Sequence, residues 1–221
     1  MPAPSSVDDG AVKVYLDNET LTTEGETLGA ALRAGVARAR ERGRLVVEIN
    51  ADGASIPEEH LADPPAFEPY AEELRLVSVE PGLLVRSTLL DAAEALEAIR
   101  ERQRRAGELI QTGETAEAMT ELTEVISVWS AVRRALEDGC TLLGLPLSDA
   151  ITGEDGRRLV EDLTGRLTDI RSALQAEDWS SLSDAVAYDL DEEAERWTTV
   201  LREFAARLET NHGDNDRETE S

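Results

Sequence analysis

The 221-residue sequence predicts an α+β protein, in which a small α+β domain precedes an antiparallel bundle of about four helices. Val12, Val14 and Leu16 alternate with polar residues, which is the period of a half-buried strand. A β-branched run over residues 45–49 predicts a second strand. From Leu83 onward, apolar residues recur in steps of three and four, which is typical of amphipathic helices. We expect four segments: a disordered segment at 1–10, the small domain at 11–81, the bundle at 82–209 and a disordered acidic tail at 210–221.

The first half of the small domain contains a predicted hairpin and a predicted helix. Asp17 and Asn18 tolerate positive φ and predict a tight turn into a returning strand over residues 19–23. Thr23 and Glu26 have the spacing of a capping box, which predicts that a helix starts there. The apolar face of this helix is predicted from four residues at helical spacing: Leu28, Leu32, Val36 and Ala39.

The second half adds the strand at 45–49, a turn at Asp52 and Gly53, a short strand, a helical turn over 57–61 and a last strand over 74–79. This order of elements resembles the β-grasp (ubiquitin-like) fold. The resemblance does not imply conjugation, because Glu80-Pro81-Gly82 runs on into the next domain and no C-terminal diglycine is present. A generic small α+β sandwich remains the alternative interpretation.

Four long helices are predicted in the remainder of the chain. The first begins at a cap-like run over 88–91 and ends at Gly113, and the second ends at Gly144. The third begins near 152–155, and the last is opened by Asp178 and runs to Leu208. Connections this short favour antiparallel neighbours. The predicted apolar stripe of the second helix consists of Met119, Leu122, Ile126, Trp129, Leu136, Cys140 and Leu143.

The formal net charge of −25 limits the classes of partner. Nucleic-acid binding needs Lys and Arg to neutralise phosphates, so we expect no nucleic-acid partner. Anionic membrane surfaces are disfavoured for the same reason. The acidity either keeps the protein dispersed or steers a basic partner toward it. The N-terminal residues have no signal-peptide pattern and no apolar run is long enough to span a bilayer, so we expect a cytoplasmic protein.

Residues with reactive side chains are few. The two histidines, His60 and His212, have no Cys or second His at metal-ligand spacing. Cys140 lies on an apolar stripe and is predicted to be a core residue. No phosphate-binding glycine motif is present. We therefore expect no catalytic, metal or cofactor-binding site, and we interpret the chain as a non-catalytic interaction module, adaptor or chaperone-like. The alternative is an enzyme or regulator with a site between the two domains.

The last predicted helix carries the string Asp178-Trp179-Ser180-Ser181-Leu182-Ser183-Asp184, followed by Tyr188-Asp189-Leu190. This string resembles a recurring pattern in uncharacterised bacterial proteins that join a small β-grasp-like domain to an acidic helical bundle. The resemblance implies a cytoplasmic bacterial protein.

The same helix supplies the predicted partner-binding residues. It is the longest apolar-striped element, so we expect its far half to extend past its neighbours and expose Leu201, Phe204 and Leu208. Trp179, at the start of the helix, is a further candidate anchor. The predicted occupant is a protein partner or a second copy of the chain. Docking of the stripe on the small domain is the alternative.

Overall fold

The computed structural model of the protein describes residues 12–23, 25, 27–67, 69–151 and 156–219, with side chains to Glu209. The chain divides into two compact units, Met1–Pro81 and Gly82–Ser221, and is α+β as predicted. The predicted disordered segment at 1–10 lies outside the described residues. So do the side chains of the predicted acidic tail, and both remain predictions.

A five-stranded sheet forms the first unit. Its strands are β1 (Lys13–Leu16), β2 (Glu19–Leu21), β3 (Leu45–Ala51), β4 (Ala54–Ser55) and β5 (Glu73–Val79). They lie side by side in the order β2-β1-β5-β3-β4. β1 and β5 are parallel, and the other neighbours are antiparallel. The predicted hairpin is confirmed, because Asp17 and Asn18 have φ of 50° and 69° between β1 and β2.

Helix α1 (Leu28–Glu41) packs on one face of this sheet. Its N-cap is Thr27, whose side chain accepts a hydrogen bond from the Ala30 amide, so the predicted capping box at Thr23 was wrong. Val36 was also wrongly predicted to face the core, because it is exposed. Gly35 is buried instead, and a Cβ at that position would lie 2.3 Å from Leu76 Cδ2. The helix approaches β5 so closely that a side chain at this position would require the buried Leu76 side chain to move.

The second unit consists of helices in its described part. They follow the short helix of the first unit, α2 (Glu58–Ala62), and are numbered after it. They are α3 (Pro81–Thr112), α4 (Thr115–Leu143), α5 (Leu147–Ala150), α6 (Gly156–Gln175), α7 (Trp179–Asp184) and α8 (Leu190–Thr219). α3 begins before the predicted 88–91 cap, since Thr88 lies inside the helix and donates to the Leu84 carbonyl at 2.9 Å. The predicted start of the third helix, at 152–155, lies outside the described residues.

Ion pairs show how the long helices run past one another. Arg86 binds Glu209 at 3.0 Å and Arg100 binds Asp191 at 2.7 Å, so α3 and α8 are antiparallel. α3 and α4 are antiparallel, because Arg102 pairs with Glu121 while Val85, earlier in α3, lies against Gly139, later in α4. α6 and α8 are antiparallel as well, since Asp162 pairs with Arg196 and Arg166 pairs with Asp189, just before α8. The apolar stripes of α3, α4, α6 and α8 converge on one core.

Two tryptophans form the centre of that core. Trp129 of α4 and Trp197 of α8 are fully buried. Their rings meet edge to face, with centroids 5.9 Å apart and an interplanar angle of 88°. Aromatic pairs favour this arrangement because the positive ring edge meets the negative ring face.

The predicted continuous last helix is interrupted by a π-helical segment at Ala185–Asp189. The sequence explains the interruption. Leu182, Val186, Leu190 and Ala194 are all buried, and they recur in three successive steps of four. Three α-helical turns span only about 10.8 residues, so such a stripe would drift off the core. The wider π turn absorbs the extra residue and keeps the stripe on one face.

Gly107 of α3 allows this segment to pack closely. A Cβ at Gly107 would lie 2.7 Å from the Ala187 Cβ and 3.3 Å from the Ser183 carbonyl oxygen. The Ser183 hydroxyl, which is buried, donates to the Gly107 carbonyl at 3.1 Å and accepts from the Gln111 side chain at 2.9 Å.

Truncating Trp129 tests the core. Trp129→Ala should lower the free energy of unfolding by about 3–5 kcal/mol, because it removes a fully buried ring and leaves a cavity. Trp179→Ala is the matched control and should cost less than about 1 kcal/mol, because that ring is partly exposed. Urea denaturation followed by circular dichroism measures both. Equal losses for the two variants would contradict the central role of Trp129.

Two glycine substitutions should change the stability of the protein in opposite directions. Gly107→Ala should destabilise the protein by about 1–3 kcal/mol, because the new methyl group collides with atoms fixed to a neighbouring backbone. Gly165→Ala should stabilise it by about 0.5–1 kcal/mol, since a Cβ at Gly165, inside α6, would have nothing within 4 Å and Ala is the better helix former. Thermal melts of both variants check this, and a stabilising Gly107→Ala would refute the close packing.

Candidate functional site

The predicted partner-binding end of α8 is internal. Leu201 is 0 % exposed and Phe204 is 2 % exposed, and both belong to the core of the helical unit. Leu208 is partly buried and packs against the same core. The prediction of an overhanging stripe was wrong for Leu201 and Phe204. These residues are covered because α3 is long enough to lie alongside this part of α8, as the ion pair between Arg86 and Glu209 indicates.

Trp179 differs from the other three predicted residues. It is the first residue of α7 and is 38 % exposed, so part of its ring is available to a partner. Asp178 caps this helix by accepting from the Ser181 amide at 3.1 Å, as the sequence predicted. The cap holds the backbone at Trp179 in place.

The single cysteine does not have the surroundings of a nucleophile. Cys140 is buried in α4, and burial raises the pKa of its thiol. The nearby Glu137 carboxylate acts in the same direction. Because the thiolate is the reactive form, both effects suppress reactivity. Across the described residues, no three His, Cys, Asp or Glu side chains are grouped so that they could hold a metal ion.

One buried carboxylate lies in the seam between α6 and α8. Glu193 is 6 % exposed, and burial raises the pKa of its carboxyl, with the Arg196 guanidinium opposing that effect. Arg196 lies 3.3 Å from Glu193 and 3.0 Å from Asp162. The other Glu193 oxygen has no hydrogen-bond partner among the described residues. A carboxylate in this position weakens the seam when ionised, which is an effect on stability.

Among the described residues of the first unit, the most exposed large apolar side chain is Phe67, at 56 %. Its ring stacks on Tyr70, with centroids 5.5 Å apart and planes 15° from parallel. The Tyr70 hydroxyl lies 2.9 Å from His60 Nδ1, and the His60 ring meets the Tyr70 ring edge to face at 5.8 Å. Leu61 is exposed beside His60 in the chain. We call His60, Leu61, Phe67 and Tyr70 the aromatic patch.

The aromatic patch is held from two sides. Tyr70 packs against the apolar core between the sheet and α1, so its ring joins the interior to the surface. His60 is carried by α2, whose backbone begins at Pro57. Pro64, Pro65 and Pro69 each have φ confined near −65°, which reduces the number of conformations open to the connecting segment. Phe67 is thereby presented on a restrained support.

The surroundings of the aromatic patch are acidic. Glu58, Glu59 and Asp63 are exposed and take part in no side-chain hydrogen bond or ion pair with any described residue. The stretch from 58 to 72 contains no Lys or Arg. An exposed ring with unneutralised carboxylates around it can accept an apolar or a cationic group from another molecule.

The aromatic patch was not predicted from the sequence, although the sequence contains a signal for Phe67. The chain has only two Phe residues, and one of them lies in a segment with three prolines and no helical or strand periodicity. A large aromatic residue in such a segment has no core face of its own to occupy. The contact between His60 and Tyr70 could not be predicted from the sequence, because it joins a residue of α2 to a residue of the segment between α2 and β5.

A two-unit, acidic α+β protein with an exposed aromatic patch is the class that fold and site define. A family model described as a domain of unknown function, DUF8042, matches residues 87–200. The chain therefore belongs to the DUF8042 family. The match runs from α3 into α8, and the aromatic patch lies outside it. No curated protein and no solved structure matched the chain. None of the described helices is long and apolar enough to cross a membrane.

Glu193 makes stability depend on pH. Its native pKa is raised, so the native state holds that proton more tightly than the unfolded state does. The contribution is therefore favourable below the unfolded pKa and is lost as pH rises through the native pKa. Glu193→Gln should reduce the fall in unfolding free energy between about pH 4 and pH 7. Glu192→Gln, an exposed neighbour with the same change in charge, is the control. Identical pH profiles for both variants in urea titrations would contradict this role.

Proposed function

We propose that this protein is a non-catalytic protein-interaction module that docks a partner protein on the aromatic patch. The observation that carries the proposal is Phe67, which is more than half exposed while its ring is stacked on Tyr70. Aromatic residues, Phe among them, are enriched in protein interfaces relative to the rest of the protein surface.

Preorganisation supports a binding role for the patch. Ordering a flexible side chain on binding costs free energy that a restrained side chain has largely lost already. The Tyr70 ring is fixed by His60 on one side and by the core on the other. A partner that covers Phe67 would therefore gain its buried apolar area at a reduced entropic cost.

The proposed architecture is a β-grasp-like domain joined to an antiparallel bundle of four main helices. The strand order β2-β1-β5-β3-β4, with β1 and β5 parallel and α1 across one face, supports the first description. The antiparallel passage of α3 along α4 and α8, and of α6 along α8, supports the second. In this proposal the apolar stripes of the helical unit are buried in its own core, and the small domain carries the docking site.

We also propose a cytoplasmic setting and a partner that is neither nucleic acid nor membrane. The net charge of −25 supports the statement about the partner, because phosphate backbones and anionic lipid surfaces would be repelled. The same charge favours encounter with a basic protein surface.

Photo-crosslinking at the patch tests the docking role. The crosslinking amino acid p-benzoylphenylalanine replaces Phe67 in the full chain, and in a matched protein it replaces Val36, which is exposed on α1 of the same unit. In cytoplasmic extract of the native organism, the probe at position 67 should give a discrete adduct that the probe at position 36 does not give.

Competition gives the decisive control. Excess unlabelled wild-type protein should abolish the adduct at position 67, whereas excess Phe67→Ala protein should leave most of it. The same adducts from both positions, or equal competition by the two proteins, would overturn the proposal.

A further inference from the structure

We infer that the segment bound by the aromatic patch is cationic and recognised through arginine. This inference rests on the proposed docking role and names the chemistry of the partner. It follows from three features of the first unit: the unpaired carboxylates in the stretch 58–72, the pairing of four of the unit's arginines with other acids, and the stacking surface of Phe67.

The carboxylates around the patch are numerous for so short a stretch. Residues 58–72 contain five acids and no Lys or Arg. These acids are Glu58, Glu59, Asp63, Glu68 and Glu72. The four whose positions the structure describes form no ion pair with any described residue. A cation supplied by a partner would therefore meet negative charge that nothing in the described part of the chain neutralises.

Four of the six arginines in residues 1–81 pair with acids outside the stretch 58–72, whereas Arg33 and Arg40 form no ion pair with a described residue. Arg38 pairs with Glu41 at 3.0 Å, and Arg42 pairs with Glu19. Arg44 pairs with Glu80 and Arg75 pairs with Glu73, at 3.2 Å and 2.6 Å. The acids that these four arginines contact thus have cations beside them, whereas the described acids of the stretch 58–72 form no ion pair. Those acids remain available to a cation of a partner.

Phe67 supplies the second half of the recognition surface. A cation within about 6 Å of an aromatic centroid is attracted by the negative face of the ring. The protein already uses this contact twice, with Arg75 over Tyr15 at 4.9 Å and Arg207 over Phe204 at 5.5 Å. Because one face of the Phe67 ring stacks on Tyr70, the outer face is the one that a partner's cation can cover.

Arginine fits this surface better than lysine. The planar guanidinium can stack on a ring and still direct its N–H groups in the plane toward a carboxylate, whereas the lysine ammonium is a compact, strongly hydrated point charge. An exposed ring in a segment rich in unpaired carboxylates should therefore discriminate between two cations of equal charge. Discrimination of this kind separates specific recognition from general attraction to an acidic protein.

The test uses two fluorescein-labelled peptides, (Gly-Arg)₄-Gly and (Gly-Lys)₄-Gly, and the full-length protein at about 0.15 M ionic strength, where long-range attraction is screened. Fluorescence anisotropy gives the dissociation constants. Wild-type protein should bind the arginine peptide about fivefold more tightly than the lysine peptide. Phe67→Ala and Phe67→Leu should lose that preference, and Phe67→Trp should keep it.

A matched pair of double variants tests the carboxylates. Glu59→Gln with Asp63→Asn should weaken binding of both peptides severalfold. Glu94→Gln with Glu124→Gln makes the same change in net charge on exposed positions of the helical unit and should weaken binding much less. Circular dichroism melts establish that each variant is folded, and Phe67 and the four acids are all exposed.

Equal affinity of wild-type protein for the two peptides, or equal weakening by the two double variants, would overturn the inference. Either result concerns only the chemistry of the partner, because the crosslinking at position 67 tests docking without regard to charge. A discrete adduct at position 67 combined with no arginine preference would retain the docking role and reject the cationic partner. Arginine preference that survives in Phe67→Ala would also reject it.

Discussion

The edge-to-face contact between Trp129 and Trp197 is the constraint on which the helical unit depends. It joins α4 to α8 at a fixed level along both helices. The remaining stripes must then reach the same core, and α8 does so only because the π segment at Ala185–Asp189 corrects the drift of its first turns. Gly107 belongs to the same constraint, since the π segment can approach α3 only where a side chain is missing. Core packing of this density leaves little freedom to shift one helix alone.

Satisfying that core determines which surfaces remain for function. With Leu201 and Phe204 buried, the apolar stripe of α8 contributes stability and offers no docking face. Apart from the buried Glu193, most acids of the helices lie at the surface, where several of them pair with arginines across the seams, as Glu97 does with Arg202. In the first unit the sheet and α1 form their own core, and Tyr70 lies at its margin. Phe67 is not part of that core, and its ring is exposed.

The candidate site was less predictable than the fold for a physical reason. Periodicity reports which face of an element is apolar, and it identified the stripe containing Leu201, Phe204 and Leu208 correctly as a stripe. Periodicity does not report what covers a stripe, which depended on how far α3 extends along α8. Phe67 belongs to no periodic element, so its exposure followed from the route of the segment between α2 and β5. Its partner Tyr70 and the supporting His60 come together only through that route.

The sequence by itself determined the α+β class, the two-part organisation, the turn at Asp17 and Asn18, and the membership of Trp129 in a buried stripe. These properties are local, because each depends on residue preferences and spacing within a few turns or one strand pair. Only the tertiary structure decided that Gly35 rather than Val36 faces the sheet, that the stripe of α8 is covered at Leu201 and Phe204, and that Phe67 is presented on Tyr70. Those outcomes depend on distances between elements, which a spacing pattern along one element does not contain.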